Sequence, residues 1–117
     1  MQRSEIWLIS LDPTIGAEMN KTRPVVIVSS DHVGALPLKV VVPLTDWKEH
    51  YSKVPWMTAV MPDAKNGLEK LSACDAFQVR SVSEKRFIRK LGSLDSKTMK
   101  ALSNSMADVL DIPHQEL

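Results

Sequence analysis

Residues 13–29 read PTIGAEMNKTRPVVIVS, from Pro13 to Ser29. The stretch opens as a turn (Asp12, Pro13, Gly16), continues as a polar loop (Glu18, Asn20, Lys21, Thr22) and ends in the apolar run Val25 to Val28. Three valines and an isoleucine are β-branched throughout, which predicts a strand buried on both faces. Pro24 lacks an N–H, and the start of a strand is one of the few sheet positions that tolerate this. Arg23 is thereby expected at a strand's edge on a rigid base. Loops carried by rigid scaffolds are where function concentrates, so Glu18, Lys21 and Arg23 mark the first place to look for a site.

Outward from this stretch, EIWLISL (Glu5 to Leu11) reads as a first strand, Arg23 to Ser29 as a second and LKVVVPL (Leu38 to Leu44) as a third. Pro43 predicts an edge or a bulge near the end of that third strand. Thr45 to Pro55 is polar and reads as a mobile loop. Trp56 to Met61 is a fourth strand. PDAKNG (Pro62 to Gly67) is turn chemistry with an Asn-Gly pair. Glu69 to Cys74, Ala76 to Val82 and Arg86 to Leu91 read as further short strands. From Asp95 the period changes: Met99, Leu102, Met106, Val109 and Leu110 are spaced for one face of a helix. Asp95 is its N-cap, Leu94 and Met99 form a hydrophobic staple, and Pro113 stops it. Short strands followed by one helix predict a mainly β (α+β) fold, a small bent antiparallel sheet or barrel with a terminal helix packed on it.

The bulk numbers restrict function. A chain of 117 residues fits one domain, 1–117. A net charge of +1 argues against a nucleic-acid coat, though not against a local basic groove. The one cysteine, Cys74, allows no internal disulfide, which suits a reducing cytoplasm. MQRSEIWL lacks the apolar core of a signal peptide, and no apolar run approaches the roughly 20 residues of a membrane helix. His32, His50, His114 and Cys74 show no metal-ligand spacing. No nucleophile elbow or phosphate-cradling glycine loop is present.

The order of Ile6-Trp7, Asp12-Pro13-Thr14, Gly16, Glu18, Lys21, Arg23-Pro24-Val25-Val26 and Pro43-Leu44-Thr45 resembles the MazF/PemK/Kid toxins of toxin–antitoxin systems. Gly67-Leu68, Ser72, Gln78-Val79-Arg80-Ser81, Arg86 and Gly92 continue the resemblance, which runs from about Ile6 to Leu110. It implies an SH3-like β-barrel with a C-terminal helix, working as a cytoplasmic homodimer. It also implies a metal-independent, sequence-specific endoribonuclease that cuts single-stranded RNA such as mRNA, leaving a 2′,3′-cyclic phosphate and a 5′-hydroxyl. No cofactor is implied. A cognate antitoxin would occupy the groove, and DNA would be met only through the toxin–antitoxin complex.

In such a cleavage the ribose 2′-oxygen attacks the adjacent phosphorus, and donors must hold the growing negative charge. Arg23 suits that task because its guanidinium is permanently charged and forks onto phosphate oxygens. The plainer alternative is an arginine paired with a carboxylate such as Glu18. The resemblance assigns a catalytic role to Arg23 and to Thr45, whose hydroxyl can donate to the phosphate; otherwise Thr45 reads as a β-branched strand end. Glu18 is either the base or an orienter of Arg23 and Lys21. Gln78 and Arg80 fall in the part of the resemblance that meets RNA; as plain sequence they are strand residues. Trp47, with Tyr51, could stack on unpaired bases while Lys48 and Lys53 approach phosphates; the plainer reading of Trp47 is a core or dimer residue. His50 is either a general acid or a solvated loop residue. The basic run Lys85, Arg86, Arg89, Lys90 reads as RNA-binding or as a solvated face. One departure stands out: where some relatives carry an aspartate before the glutamine, this chain has Phe77, so that base is absent. Two rival functions share the fold: a CcdB-like poison acting on DNA gyrase, and an inactive module that only contacts an antitoxin or regulates DNA.

Overall fold

The computed structural model describes residues 1–19 and 21–114. Among them are seven strands and one α-helix. The strands are β1 (Glu5–Ser10), β2 (Thr22–Ile27), β3 (Leu38–Asp46), β4 (Met57–Val60), β5 (Ser72–Asp75), β6 (Arg80–Ser83) and β7 (Phe87–Ser93), and the helix is α1 (Ser96–Val109). All strand pairings among the described residues are antiparallel. The strand order is β4-β5-β3-β2-β1-β7, with β6 also paired to β3.

The Val25–Val28 run does what its composition predicts. Val26 and Val28 lie in a core with Ile6, Val42, Leu44 and the helix residues Met99 and Leu102. Val25 and Ile27 turn to a second core with Ile9, Leu11, Val41 and Val82. Alternate residues on a strand face opposite ways, so a continuous β-branched run fills both layers. The strand begins at Thr22, two residues before Pro24. Pairing to β3 starts only at Val25, so Pro24 owes no ladder bond on that side.

Pro43 marks a change of partner. On the side away from β2, β3 pairs with β6 through Leu38–Val41 and with β5 through Leu44–Asp46. Val42 and Pro43 fall in the gap between those two ladders. Hydrogen bonding does not close the sheet into a barrel: β4 and β7 end the strand order. The 62–67 loop leans on β7 instead. Ser93 N–H donates to the Lys65 carbonyl at 2.9 Å. Asn66, buried, donates from Nδ2 to the Met61 carbonyl (2.8 Å) and accepts from Leu68 N–H (3.0 Å). Gly67, at φ +69°, completes the turn in the left-handed region that glycine tolerates.

Two expected strands and one expected loop take different forms. The strand expected at 69–74 is β5, from Ser72 to Asp75. The strand expected at 76–82 opens as a 3₁₀ turn, Ala76–Gln78, before β6. Asp75 causes the turn, because its carboxylate accepts from Phe77 N–H at 3.1 Å and so caps it. The expected 45–55 loop is ordered at both ends: Thr45 and Asp46 finish β3, and Glu49–Lys53 form a 3₁₀ helix.

Asp95 caps α1 by accepting from Thr98 N–H at 2.7 Å, and the Leu94–Met99 staple is buried at both ends. The helix ends before Pro113. Asp111, at φ +55°, reverses the chain, with Ile112 N–H on the Ala107 carbonyl (2.8 Å) and Asp111 N–H on the Asp108 carbonyl (3.3 Å). This pair of bonds is a Schellman closure. Leu110 lies outside the apolar stripe and is exposed, whereas Ser105 is buried in it and bonds Thr58 at 3.0 Å. Arg3 fixes the N-terminus by donating to the Val28 carbonyl and to Ser103 Oγ.

Glu5 ties the start of β1. Burial pushes its carboxyl up, but donors from Trp7 (2.9 Å), Gln2 (3.0 Å) and Lys90 (3.1 Å) outweigh this and hold it at about 2, against an ordinary 4.5. The folded value is the lower one, so the stabilisation is complete above pH about 4.5 and is lost as pH falls towards 2. We expect about 1–2 kcal/mol of acid-dependent stability from this group after solvent screening. Urea unfolding of Glu5→Gln across that window should show a shallower pH slope than the unsubstituted chain.

Candidate active site

The second and third strands meet in the register Val25↔Pro43, Val26↔Val42 and Ile27↔Val41. Carried two residues towards the start of β2, this register brings Arg23 into line with Thr45. Both side chains are half-buried, and both line one groove of about 360 Å³ at the strand ends. Lys48, Asp46, Ser72 and Thr22 also line it. Thr45 is held from its other side by pairing with Ala73 of β5. Two cations and a hydroxyl therefore converge on a cleft open to solvent, where a guanidinium and an ammonium attract a phosphodiester and the hydroxyl can donate to it.

The loop leading into Arg23 is fastened at three points. Arg86 Nη1 donates to the carbonyls of Ser10 (3.1 Å) and Asp12 (2.7 Å), where β1 ends. Asp12 accepts from Lys21 N–H at 2.9 Å, and Leu11 N–H donates to the Lys21 carbonyl at 2.9 Å. Gln78 reaches across to accept from Met19 N–H at 3.3 Å and to donate to the Ala17 carbonyl at 3.4 Å. The Asp75 cap behind Gln78 is itself buried, and burial pushes that carboxyl above its ordinary value although Phe77 and Gln78 N–H groups act the other way.

These contacts sort the expected site residues. Arg23, Thr45 and Lys48 come together. Glu18 does not line their groove: it is exposed, and its carboxylate accepts from Ile15 N–H at 2.6 Å, closing its own turn. Lys21 takes the left-handed conformation at φ +66°, with its backbone engaged in the clasp. Gln78 is a loop fastener with both ends of its amide used. Arg80 is half-buried on β6, in register with Val41. Trp47 does not line the groove either: its backbone N–H donates to the Leu71 carbonyl at 3.0 Å and its ring meets Tyr51 edge-on at 5.8 Å. His50 also packs against Tyr51, with ring centroids 4.7 Å apart. Phe77 is exposed and lies against Trp56 at 5.3 Å. The carboxylate that does line the groove is Asp46, which pairs with Lys70 at 3.9 Å. Its position directly after Thr45 was the available signal. Among the described residues, no three His, Cys, Asp or Glu side chains gather as a metal site would require. No described helix is long and apolar enough to cross a membrane.

These features define a class: a small antiparallel β-protein with a C-terminal helix and a cationic, hydroxyl-bearing groove at its strand ends. Comparison with known proteins narrows it. The chain belongs to the family described as PemK-like, MazF-like toxins of type II toxin–antitoxin systems, whose model matches residues 2–110. It is 30% identical over 118 residues to endoribonuclease MazF9 of Mycobacterium tuberculosis, covering 96% of this chain and 98% of that protein. Its fold matches MazF from Deinococcus radiodurans with a TM-score of 0.78 at 17% identity, covering 96% of this chain and 97% of that one. It also matches an endoribonuclease solved in complex with its cognate antitoxin from a mycobacterial species, with a TM-score of 0.76 at 19% identity and 97% coverage of both chains.

Proposed function

We propose that this chain is a toxin endoribonuclease that cuts single-stranded RNA in the Arg23–Thr45 groove. The observation that carries the proposal is the shared groove of a permanently charged guanidinium and a threonine hydroxyl, set in line by the β2–β3 register. The curated relative MazF9 is named an endoribonuclease, which fits the same chemistry.

In this reading the scissile phosphodiester lies across the groove. Arg23 forks onto its non-bridging oxygens and holds the charge that grows as the 2′-oxygen attacks phosphorus. Thr45 Oγ1 donates to the same phosphate, and Lys48 steadies the neighbouring strand. As the O2′–P bond forms, the 2′-hydroxyl gives its proton to water; the P–O5′ bond breaks and the 5′-oxygen takes a proton from water to leave as a hydroxyl, so the ring closes as a 2′,3′-cyclic phosphate with no metal ion taking part. Glu18, Lys21 and Gln78 serve the reaction by holding the loop that presents Arg23. Trp47 and Arg80 bind RNA beyond the groove.

The cytoplasmic homodimer and the antitoxin belong to the same proposal. β4 ends the strand order, and Met61 beside it is 73% exposed, which favours a second protein surface there. The antitoxin complex of a structural relative supports neutralisation by a cognate partner. DNA enters only through that complex.

The test is a long single-stranded RNA incubated with the purified chain in EDTA, with the product ends sequenced and their phosphates identified. We expect discrete cuts bearing 2′,3′-cyclic phosphates. Intact RNA together with gyrase inhibition would instead identify a gyrase poison, and inactivity on both targets a binding module.

A further inference from the structure

The Arg23–Thr45 groove does not stop at Thr22. A second cleft of about 310 Å³ adjoins it and shares Pro24, Asp46 and Ser72 with it. We propose that this second cleft is a nucleotide subsite, in which Arg89 holds a phosphate flanking the scissile one and an apolar floor takes the neighbouring base. The proposal rests on the reading of the first groove as an RNA site.

Sheet register builds the cleft. Leu8 pairs with Pro24 on one side and with Arg89 on the other, so Pro24, Leu8 and Arg89 form one row across β2, β1 and β7. Leu68 and Leu91 complete an apolar floor beside that row. Gly67 allows the 62–67 loop to lie flat against β7 there, since a Cβ at that position would sit 2.1 Å from the Leu91 carbonyl oxygen. The space matches the lower end of small-ligand sites, about 300 Å³.

The structure also separates the members of the basic run. Arg86 is spent on the Ser10 and Asp12 carbonyls, and Lys90 pairs with Glu5 at 3.1 Å. Arg89 is exposed and lines the cleft. Asp46, paired with Lys70 at 3.9 Å, and Glu69 also line it. These carboxylates keep the cleft close to neutral, so it is a poor trap for a free phosphate. They suit a nucleoside, because a carboxylate can accept from the amino group of a base. Continuity with the first groove selects the occupant: the next nucleotide of the same strand.

Binding is the readout, independent of cleavage. Uncleavable 2′-O-methyl oligoribonucleotides of randomised sequence, one set short enough to fill only the first groove and one longer, would be titrated by fluorescence anisotropy at several salt concentrations. The longer set should bind the unsubstituted chain about tenfold tighter, with a salt slope steeper by about 0.7. Arg89→Ala should abolish both differences and leave short-oligonucleotide affinity unchanged, and Arg89→Lys should restore the slope. A length-dependent gain that survives Arg89→Ala overturns the subsite, as does the absence of any gain in the unsubstituted chain. Extension-dependent binding in a chain that cleaves no RNA would retain the subsite and discard the nuclease reading.

Discussion

Arg23→Ala should lower RNA cleavage by about 10²–10³-fold, the usual loss when one preorganised donor to a developing oxyanion is removed. Arg23 is half-buried at the rim of the groove, on a stretch of β2 held by its pairing with Ile9 of β1. The guanidinium therefore requires little reorganisation when charge appears on the phosphate. Arg23→Lys should recover only part of the rate, because an ammonium keeps the charge but loses the planar fork. Thermal unfolding of both variants, followed beside the cleavage rate, separates lost chemistry from lost fold. A rate that falls only in proportion to folded protein would remove Arg23 from the reaction.

The largest effect on stability is expected at Gly92. A Cβ there would stand 2.2 Å from the Lys65 carbonyl oxygen and 2.5 Å from the Asn66 carbonyl carbon, both backbone atoms that no rotamer change can move. Alanine must push the 62–67 loop off β7 and break the Ser93–Lys65 bond that spans the open side of the sheet. Overpacking of this kind costs about 3 kcal/mol. For a chain of 117 residues that lowers Tm by about 10 °C. Calorimetry of Gly92→Ala checks it, and an unchanged Tm would mean that the loop does not close the sheet.

The sequence was most legible where one physical effect dominates. Val25 to Val28 is β-branched without a break, and its burial in two core layers follows directly. Asp95, Leu94 and Met99 spell out a helix start, and each plays its expected part. The resemblance pointed to Arg23 and Thr45, and the strand register explains how residues 22 positions apart come to share a groove. Legibility failed where a side chain redirected the backbone or where strands distant in sequence converge. Ala76 to Gln78 has strand-like composition, yet the Asp75 carboxylate turns it into 3₁₀. Glu18 looked like a partner for Arg23 because it is near in sequence, but the loop folds back and uses that carboxylate on Ile15. Arg89 enters the second cleft only through the pairing of β7 with β1, which no local pattern announces.

A double-mutant cycle on Arg23 and Thr45 tests whether the two grip one phosphodiester. Single-turnover cleavage of one RNA would be measured for Arg23→Ala, Thr45→Val and the pair together. Groups acting as a unit give non-additive losses, so the double variant should be barely slower than Arg23→Ala alone. Losses that multiply in full would show two side chains working apart, and the shared groove would not be the site of cleavage.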